Sequence, residues 1–213
     1  MLERVKTWDR RALSRLEGAP RPRPAVAALR GFSGLARGAG WVAAMAALAL
    51  AGERRARPAL ASVSLAFAAS LGVELGVKLL VHRRRPDRDD ETHEPGPEDM
   101  ERHSFPSGHA LGAFACAAAV TAWYPRSAPL VSVAAATAGA SRVYLRRHNP
   151  SDVAGGALLG VALGAASAAA VMRLTGRRSP ALRGRPGVGR QQPVAHRVHT
   201  RPPRREQSVE FRF

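Results

Sequence analysis

The sequence has a single cysteine, Cys116, among its 213 residues, and only 5% of its residues are aromatic. One cysteine excludes an internal disulfide framework and a zinc site built from cysteine thiolates. The scarcity of aromatic side chains argues against a stacking platform for single-stranded nucleic acid. A chain of this length has room for one domain with a buried core, with or without tails.

Acidic residues are also few, since 16 Asp and Glu oppose 33 Lys and Arg and the formal net charge is +17. The excess lies at the ends: residues 1–37 carry +6 and residues 173–213 carry +9, whereas residues 38–172 carry only +2. We therefore predict a basic N-terminal segment (1–37), a central domain (38–172) and an Arg/Pro-rich, disordered C-terminal tail (173–213). The tail is either simply solvated or in contact with anionic lipid head groups. Arginine in place of lysine, with abundant Ala, Gly and Pro, favours a bacterial source.

Residues 1–17 fit an amphipathic helix that lies either at a membrane surface or on the domain. Its apolar face is formed by Leu2, Val5, Trp8, Leu13 and Leu16. Residues 18–24, rich in proline, indicate a linker. Charges interrupt every apolar stretch before residue 38, which argues against a secretory signal.

Five uncharged or nearly uncharged stretches follow, at 38–52, 58–73 (extending to 81), 110–125, 127–141 and 153–172. Only the last clearly reaches the roughly 20 residues that span a bilayer. Their Ala, Gly and Ser residues suit close packing of helices inside a membrane. We predict an all-α, membrane-embedded bundle of about five spanning helices; a buried soluble bundle is the alternative.

Three polar clusters border these stretches. They are Lys78 with residues 83–86, residues 104–109, and residues 141–152. If the helices cross the membrane alternately, all three clusters meet on one face. This convergence predicts a single site.

The cations of the first and third clusters suit a phosphate group. Lys78, Arg85 and Arg142 supply three positive charges, and a guanidinium group matches phosphate oxygens with two parallel hydrogen bonds. We therefore predict that these three side chains bind a phosphate.

The second cluster adds backbone donors and an acid. We place Pro106 in the first turn of the third helix, which would aim the amides of Ser107 and Gly108 at an anion. Gly108 also lets a ligand approach the backbone closely. His109 is available to protonate a leaving alkoxide.

The third cluster predicts the start of a helix, and a candidate nucleophile precedes that start. Asn149 is the predicted N-cap, Pro150 the first helical residue and Asp152 the third. Asp152 lies four residues after His148, close enough to hold one imidazole nitrogen and leave the other nucleophilic. Together the clusters fit phosphoryl transfer without a metal.

Some of these features have ordinary structural explanations. Lys78 can pair with Glu74 one helical turn earlier, and Asn149 with Asp152 can form a capping box without any catalytic role. The acidic segment 87–101 is either a functional lid or an idle loop.

His93 and His103 lie among carboxylates in and beside this acidic segment. Their irregular spacing matches no metal-ligand pattern. We predict neither a metal site nor a cofactor.

The complete pattern resembles the three-part signature of the type 2 phosphatidic acid phosphatase family, which belongs with the acid phosphatases and vanadium haloperoxidases. The matching residues are Lys78, Arg85 and Pro86; Pro106, Ser107, Gly108 and His109; and Ser141, Arg142, His148 and Asp152. The resemblance covers about residues 38–172. Arg146 and Arg147 stand where many members carry a small and an apolar residue, and Asn149 often corresponds to an aromatic.

The resemblance implies a membrane helical bundle that hydrolyses a lipid phosphate or diphosphate, usually without metal. Candidate substrates are phosphatidate, phosphatidylglycerol phosphate, polyprenyl phosphates or diphosphates and prenyl-linked sugar phosphates. It also implies that His148 forms a phosphohistidine, that Asp152 orients it and that His109 is first acid and then base. Lys78, Arg85, Ser107, Gly108 and Arg142 would bind the phosphate.

Two other functions stay open at the level of sequence. One is a non-catalytic membrane protein that binds anionic lipid or nucleic acid, and the other, more remote, is a vanadate-dependent haloperoxidase. We expect a multi-pass protein of a bacterial cell membrane, with the active site facing outward, membrane lipids as partners and no specific nucleic acid.

Overall fold

The computed structural model describes residues 2–83, 85–86 and 103–177. These residues form α-helices, one short 3-10 helix (Pro125–Ser127) and no β-strand, in agreement with the predicted all-α class. The helices are α1 (Leu2–Ser14), α2 (Arg23–Arg37), α3 (Ala39–Leu50), α4 (Ala56–Leu80), α5 (Gly108–Trp123), α6 (Ala128–Tyr144) and α7 (Pro150–Leu174). The acidic segment 87–101 and most of the predicted C-terminal tail lie outside the described residues.

The five predicted apolar stretches correspond to α3 through α7, and the predicted amphipathic start corresponds to α1. Helix α2 was not predicted: it begins at Arg23, so the proline-rich linker is shorter than expected. Gly31 and Gly34 weaken the helical pattern of this segment. Pro24 lies in the first turn of α2, where proline is tolerated because the first amides have no partner inside the helix.

Helices α4 and α7 are each 25 residues long and apolar enough to cross a membrane. At about 1.5 Å per residue their length exceeds the roughly 30 Å of a hydrocarbon core. Helices α2 and α3 pass the same test only as a pair, bent by 60°. Helices α5 and α6 are shorter, at 16 and 17 residues. The described residues therefore contain two or three candidate spans by length and composition, and the count of about five stays a prediction.

Helix α5 lies at the centre of the bundle, against α2, α4, α6 and α7. Its small side chains are buried on nearly every face. The indole nitrogen of Trp123 donates to Ser62 Oγ at 2.9 Å and ties the end of α5 to α4. A central helix can cross a membrane with fewer residues than a helix that faces lipid along its whole length, because the non-helical backbone at its ends is buried in protein.

Three glycines spaced by four residues allow α7 to pack directly on the backbone of α5. A Cβ atom at Gly156 would lie 2.7 Å from the carbonyl oxygen of Ser107. Cβ atoms at Gly160 and Gly164 would collide with the carbonyl oxygens of Leu111 and Ala115. Small residues at such a spacing are how membrane helices approach closely, and this contact brings the start of α7 beside the start of α5.

Candidate active site

A cavity of about 470 Å³ opens where α4 ends and where α5 and α7 begin. All three polar clusters contribute to it. The predicted site residues in its lining are Lys78, Arg85, Gly108, His109, Arg142 and His148. The other lining residues are Arg37, Leu71, Glu74, Leu75 and Arg147. Ser107 and Asp152, the remaining predicted residues, are fully buried behind this lining.

Among the described residues that line the cavity Glu74 is the one acid, and it joins two cations. Its Oε1 atom accepts a hydrogen bond from Lys78 Nζ at 2.7 Å, and its Oε2 atom accepts one from Arg37 at 2.5 Å. The ordinary ion pair between Lys78 and Glu74 is thus present, and Lys78 also lines the cavity. Arg37 was not predicted, since it comes from the unpredicted helix α2.

The start of α5 differs from the predicted anion-binding turn. The helix begins at Gly108, with Ser107 as N-cap, so Pro106 lies before the first turn rather than in it. The Ser107 amide donates to the carbonyl oxygen of Asp152 at 3.0 Å and is not directed at the cavity. A Cβ atom at Gly108 would collide with the Glu74 carboxylate, so this glycine makes room for Glu74.

His148 lies between α6 and α7 and is 2% exposed. Its Nδ1 atom is 2.8 Å from the carbonyl oxygen of Ser104. A carbonyl oxygen can only accept, so Nδ1 carries the proton and Nε2 is left with its lone pair. Burial, reinforced by the charges of Arg85 and Arg142, lowers the pKa of His148 from 6.5 to about 2. The imidazole is therefore neutral at physiological pH.

Asp152 is oriented differently from the expected direct partner of His148. Its Oδ2 atom is 3.9 Å from His148 Nδ1, beyond hydrogen-bond distance. Oδ2 instead accepts from the amide of Asn149 at 2.8 Å, and Oδ1 accepts from Arg83 Nη1 at 2.8 Å. The helix start itself is as predicted, with Asn149 as N-cap, Pro150 first and a capping box to Asp152.

Asp9 was not predicted, and Arg83 was placed in the first polar cluster without a role of its own; both belong to the network behind the cavity. Arg83 Nη2 donates to Asp9 Oδ2 at 2.6 Å. Asp9 Oδ1 accepts from the amide of Ser151 at 2.9 Å. Asp9 occupies the buried face of α1 between Val5 and Leu13, whereas Trp8, predicted on that face, is 54% exposed. The sequence did carry a signal for this: Asp9 lies four residues from Val5 and four from Leu13, so a helix places it on the same face as these apolar residues.

Arg146 and Arg147, the two residues before His148, differ from those that many family members carry, and they have different surroundings. Arg147 lines the cavity. Arg146 adopts the left-handed backbone conformation, with φ at 55°, and donates to Glu17 at 3.2 Å. Only Arg147 is therefore in a position to meet a ligand in the cavity.

The loop that leads into α5 is anchored by His103. This residue is fully buried, and its Nδ1 atom donates to the carbonyl oxygen of Lys78 at 2.8 Å. The bond satisfies a carbonyl at the end of α4. Within the described ranges no group of three or more His, Cys, Asp or Glu side chains could hold a metal ion; His93 lies outside them.

Residues 59–176 match the sequence profile of the PAP2 superfamily. The decaprenylphosphoryl-5-phosphoribose phosphatase of Mycobacterium tuberculosis is 33% identical over 167 residues, which cover 78% of this chain and 92% of that protein. A lipid A 1-phosphatase of Porphyromonas gingivalis is 40% identical over 72 residues, which cover 32% of this chain and 16% of that protein.

Two solved structures have a similar fold. LpxE of Aquifex aeolicus aligns with a TM-score of 0.56 at 21% identity, over 74% of this chain and 92% of that one. A transmembrane PAP2-type phosphatidylglycerolphosphate phosphatase of Bacillus subtilis aligns with a TM-score of 0.54 at 23% identity, over 80% and 87% of the two chains.

Proposed function

The chain belongs to the PAP2 superfamily, and from that premise we propose that it is an integral-membrane phosphatase that cleaves a lipid phosphate or diphosphate through a phosphohistidine at His148. The observation that carries the proposal is a buried neutral imidazole, with Nδ1 held by the Ser104 carbonyl, in a cavity lined by Lys78, Arg85 and Arg142. A cationic cavity attracts a phosphate, and a free Nε2 lone pair can attack it.

In the first step His148 Nε2 forms a bond to phosphorus while the bond from phosphorus to the lipid oxygen breaks. His109 gives its proton to the departing oxygen, a type of catalysis that contributes about a hundred- to ten-thousand-fold. Lys78, Arg85 and Arg142 stabilise the charge on the remaining phosphate oxygens.

In the second step neutral His109 takes a proton from water. The resulting hydroxide bonds to phosphorus, the bond from phosphorus to Nε2 breaks, and inorganic phosphate leaves. Both histidines then have their original protons. No metal is needed in either step, because the cavity cations and His109 supply the positive charge and the proton.

We propose a prenyl-linked sugar phosphate as the first substrate to test, because the Mycobacterium relative named above resembles this chain over most of both lengths. The apolar lining residues Leu71 and Leu75 are partly exposed on α4, a candidate spanning helix. They offer an apolar surface on which the first part of a lipid chain can lie. Phosphatidate, phosphatidylglycerol phosphate and polyprenyl diphosphate complete the panel.

The test is phosphate release from this panel by detergent-purified protein in excess chelator, beside His148→Ala. We expect metal-independent release in the wild type and none in the variant. Wild type denatured with detergent at alkaline pH during turnover should also retain a phosphoryl group that is stable to alkali and labile to acid, as a phosphohistidine is. Release that persists in His148→Ala would refute the assigned nucleophile, and binding without any release would favour a lipid-binding protein.

We propose that the cavity faces outward. The opposite end of the bundle carries the arginines Arg54, Arg55, Arg57, Arg126, Arg173 and Arg177. Basic residues near the ends of spanning helices favour the cytoplasmic side. The cavity end is also rich in cations, but Lys78, Arg85 and Arg142 line the cavity and are assigned to phosphate binding. A fluorescent protein fused after Phe213 should therefore fluoresce, and an alkaline phosphatase fused at the same point should be inactive; the reverse pattern would place the cavity inside.

A further inference from the structure

Helix α1 lies outside residues 59–176, the part of the chain that matches the family profile, yet its Asp9 reaches the network behind the cavity. The other charged side chains of α1 are exposed, whereas Asp9 is 2% exposed. Burying a carboxylate is costly unless it is paired and hydrogen-bonded. Asp9 meets that condition through partners next to the predicted catalytic residues.

Asp9 and Asp152 share Arg83. The guanidinium group donates through Nη2 to Asp9 Oδ2 at 2.6 Å and through Nη1 to Asp152 Oδ1 at 2.8 Å. Because one planar group holds both carboxylates, the position of Asp152 depends on that of Asp9.

Asp9 also holds the first turn of α7 directly. Its Oδ1 atom accepts from the Ser151 amide at 2.9 Å and its Oδ2 atom accepts from Ser151 Oγ at 2.6 Å. That amide belongs to the first turn of α7, where backbone donors have no partner within the helix. A carboxylate there is also favoured by the helix dipole.

The first turn of α7 is connected to both predicted catalytic histidines. Asp152 Oδ2 accepts from the amide of Asn149, the residue after His148. The carbonyl oxygen of Asp152 accepts from the amide of Ser107, two residues before His109, at 3.0 Å. A shift of Asp152 would therefore move the nucleophile and the acid together.

We propose that Asp9 is a positioning residue: through Arg83 and Ser151 it holds the first turn of α7, and with it His148 and His109, in the geometry for phosphoryl transfer. The inference rests on the function proposed above. Misplacing reacting groups by about 1 Å can cost a hundredfold in rate. We expect Asp9→Asn, which keeps the shape and removes the charge, to lower kcat at least tenfold and change KM by less than about twofold.

Glu3→Gln is the matched control, because Glu3 is an exposed acid on the same helix and pairs with Lys6. It should leave kcat and KM unchanged. A double variant with Arg83→Gln should lose less than the two single losses combined, since both changes act on one network. If α1 has only a structural role, Asp9→Asn should give less folded protein. Its kcat, calculated per active site that can be phosphorylated, should then equal that of the wild type, and that result would overturn the proposal.

Hydrogen exchange at the Ser151 amide gives a readout that does not depend on activity. Exchange there should accelerate in Asp9→Asn and stay unchanged in Glu3→Gln; equal exchange in both variants would refute the positioning role. If the wild type releases no phosphate, the proposed function fails and this measurement alone decides the role of Asp9. If Asp9→Asn does not fold, Asp9→Glu serves in its place: a lowered kcat supports the role and a wild-type kcat overturns it.

Discussion

The Nδ1 atom of His148 lies 2.8 Å from the carbonyl oxygen of Ser104. Because a backbone carbonyl does not titrate, this contact keeps the proton on Nδ1 at every pH at which the imidazole is neutral. The carboxylate expected in this place, Asp152, is 3.9 Å away and bonded to other groups. The tautomer of the predicted nucleophile is therefore set by the backbone.

We expect Asp152→Asn to lower kcat less than the same change does in a Ser-His-Asp catalytic triad. In such a triad the carboxylate sets the tautomer of the histidine, and changing Asp to Asn lowers kcat about ten-thousand-fold. Here the Ser104 carbonyl keeps the tautomer, so we expect a loss of roughly a hundredfold, through the altered contact to Arg83. Steady-state kinetics would measure it. A loss as complete as that of His148→Ala would mean that Asp152, and not Ser104, controls the imidazole.

The lowered pKa of His148 predicts that the protein becomes less stable in mild acid. The unfolded chain binds a proton at this residue below about pH 6.5, whereas the folded protein does not until the pH approaches 2. Stability from this group is thus complete above pH 6.5 and declines as the pH falls below it. Thermal unfolding of His148→Gln in detergent should depend less on pH between 7 and 5 than that of the wild type. Identical pH slopes would contradict this prediction.

Glu74→Gln should strengthen phosphate binding. Glu74 neutralises part of the charge of Lys78 and Arg37 at the cavity, so its removal leaves more positive charge for an anion. We expect inorganic phosphate to inhibit the variant several-fold more tightly. Glu53→Gln is the control, because Glu53 lies at the opposite end of the bundle and bonds to Tyr124. Equal inhibition in all three proteins would show that Glu74 does not limit the charge available to the ligand.

Gly160→Ala should destabilise the bundle. Its new methyl group would collide with the Leu111 carbonyl on α5, and such overpacking costs about 1–3 kcal/mol. Gly72→Ala in α4 is the matched control, because nothing lies within 4 Å of the added carbon and alanine favours a helix. The melting temperature in detergent should fall for Gly160→Ala and hold or rise for Gly72→Ala. The opposite order would contradict the described contact of α7 with α5.

The local elements could be predicted because their signals are local. Apolar stretches marked α3 through α7, and the order Asn149, Pro150, Asp152 marked the start of α7. Helix α2 was not predicted because Gly31 and Gly34 weaken its helical pattern. For the same reason the contribution of Arg37 to the cavity lining was not predicted. The number of spanning helices does not follow from the pattern, since a helix surrounded by others, such as α5, can be short.

The sequence by itself determined that three polar clusters lie at the ends of apolar helices, and hence that Lys78, His109 and His148 share one face. Only the tertiary structure decided which atoms of that face meet. Asp152 bonds to Arg83 rather than His148, the Ser107 amide bonds to the Asp152 carbonyl, and Asp9 arrives from a separate helix. Helix periodicity fixes which side a residue faces, but a hydrogen bond depends on tenths of an ångström, which follow from the packing of every helix against its neighbours.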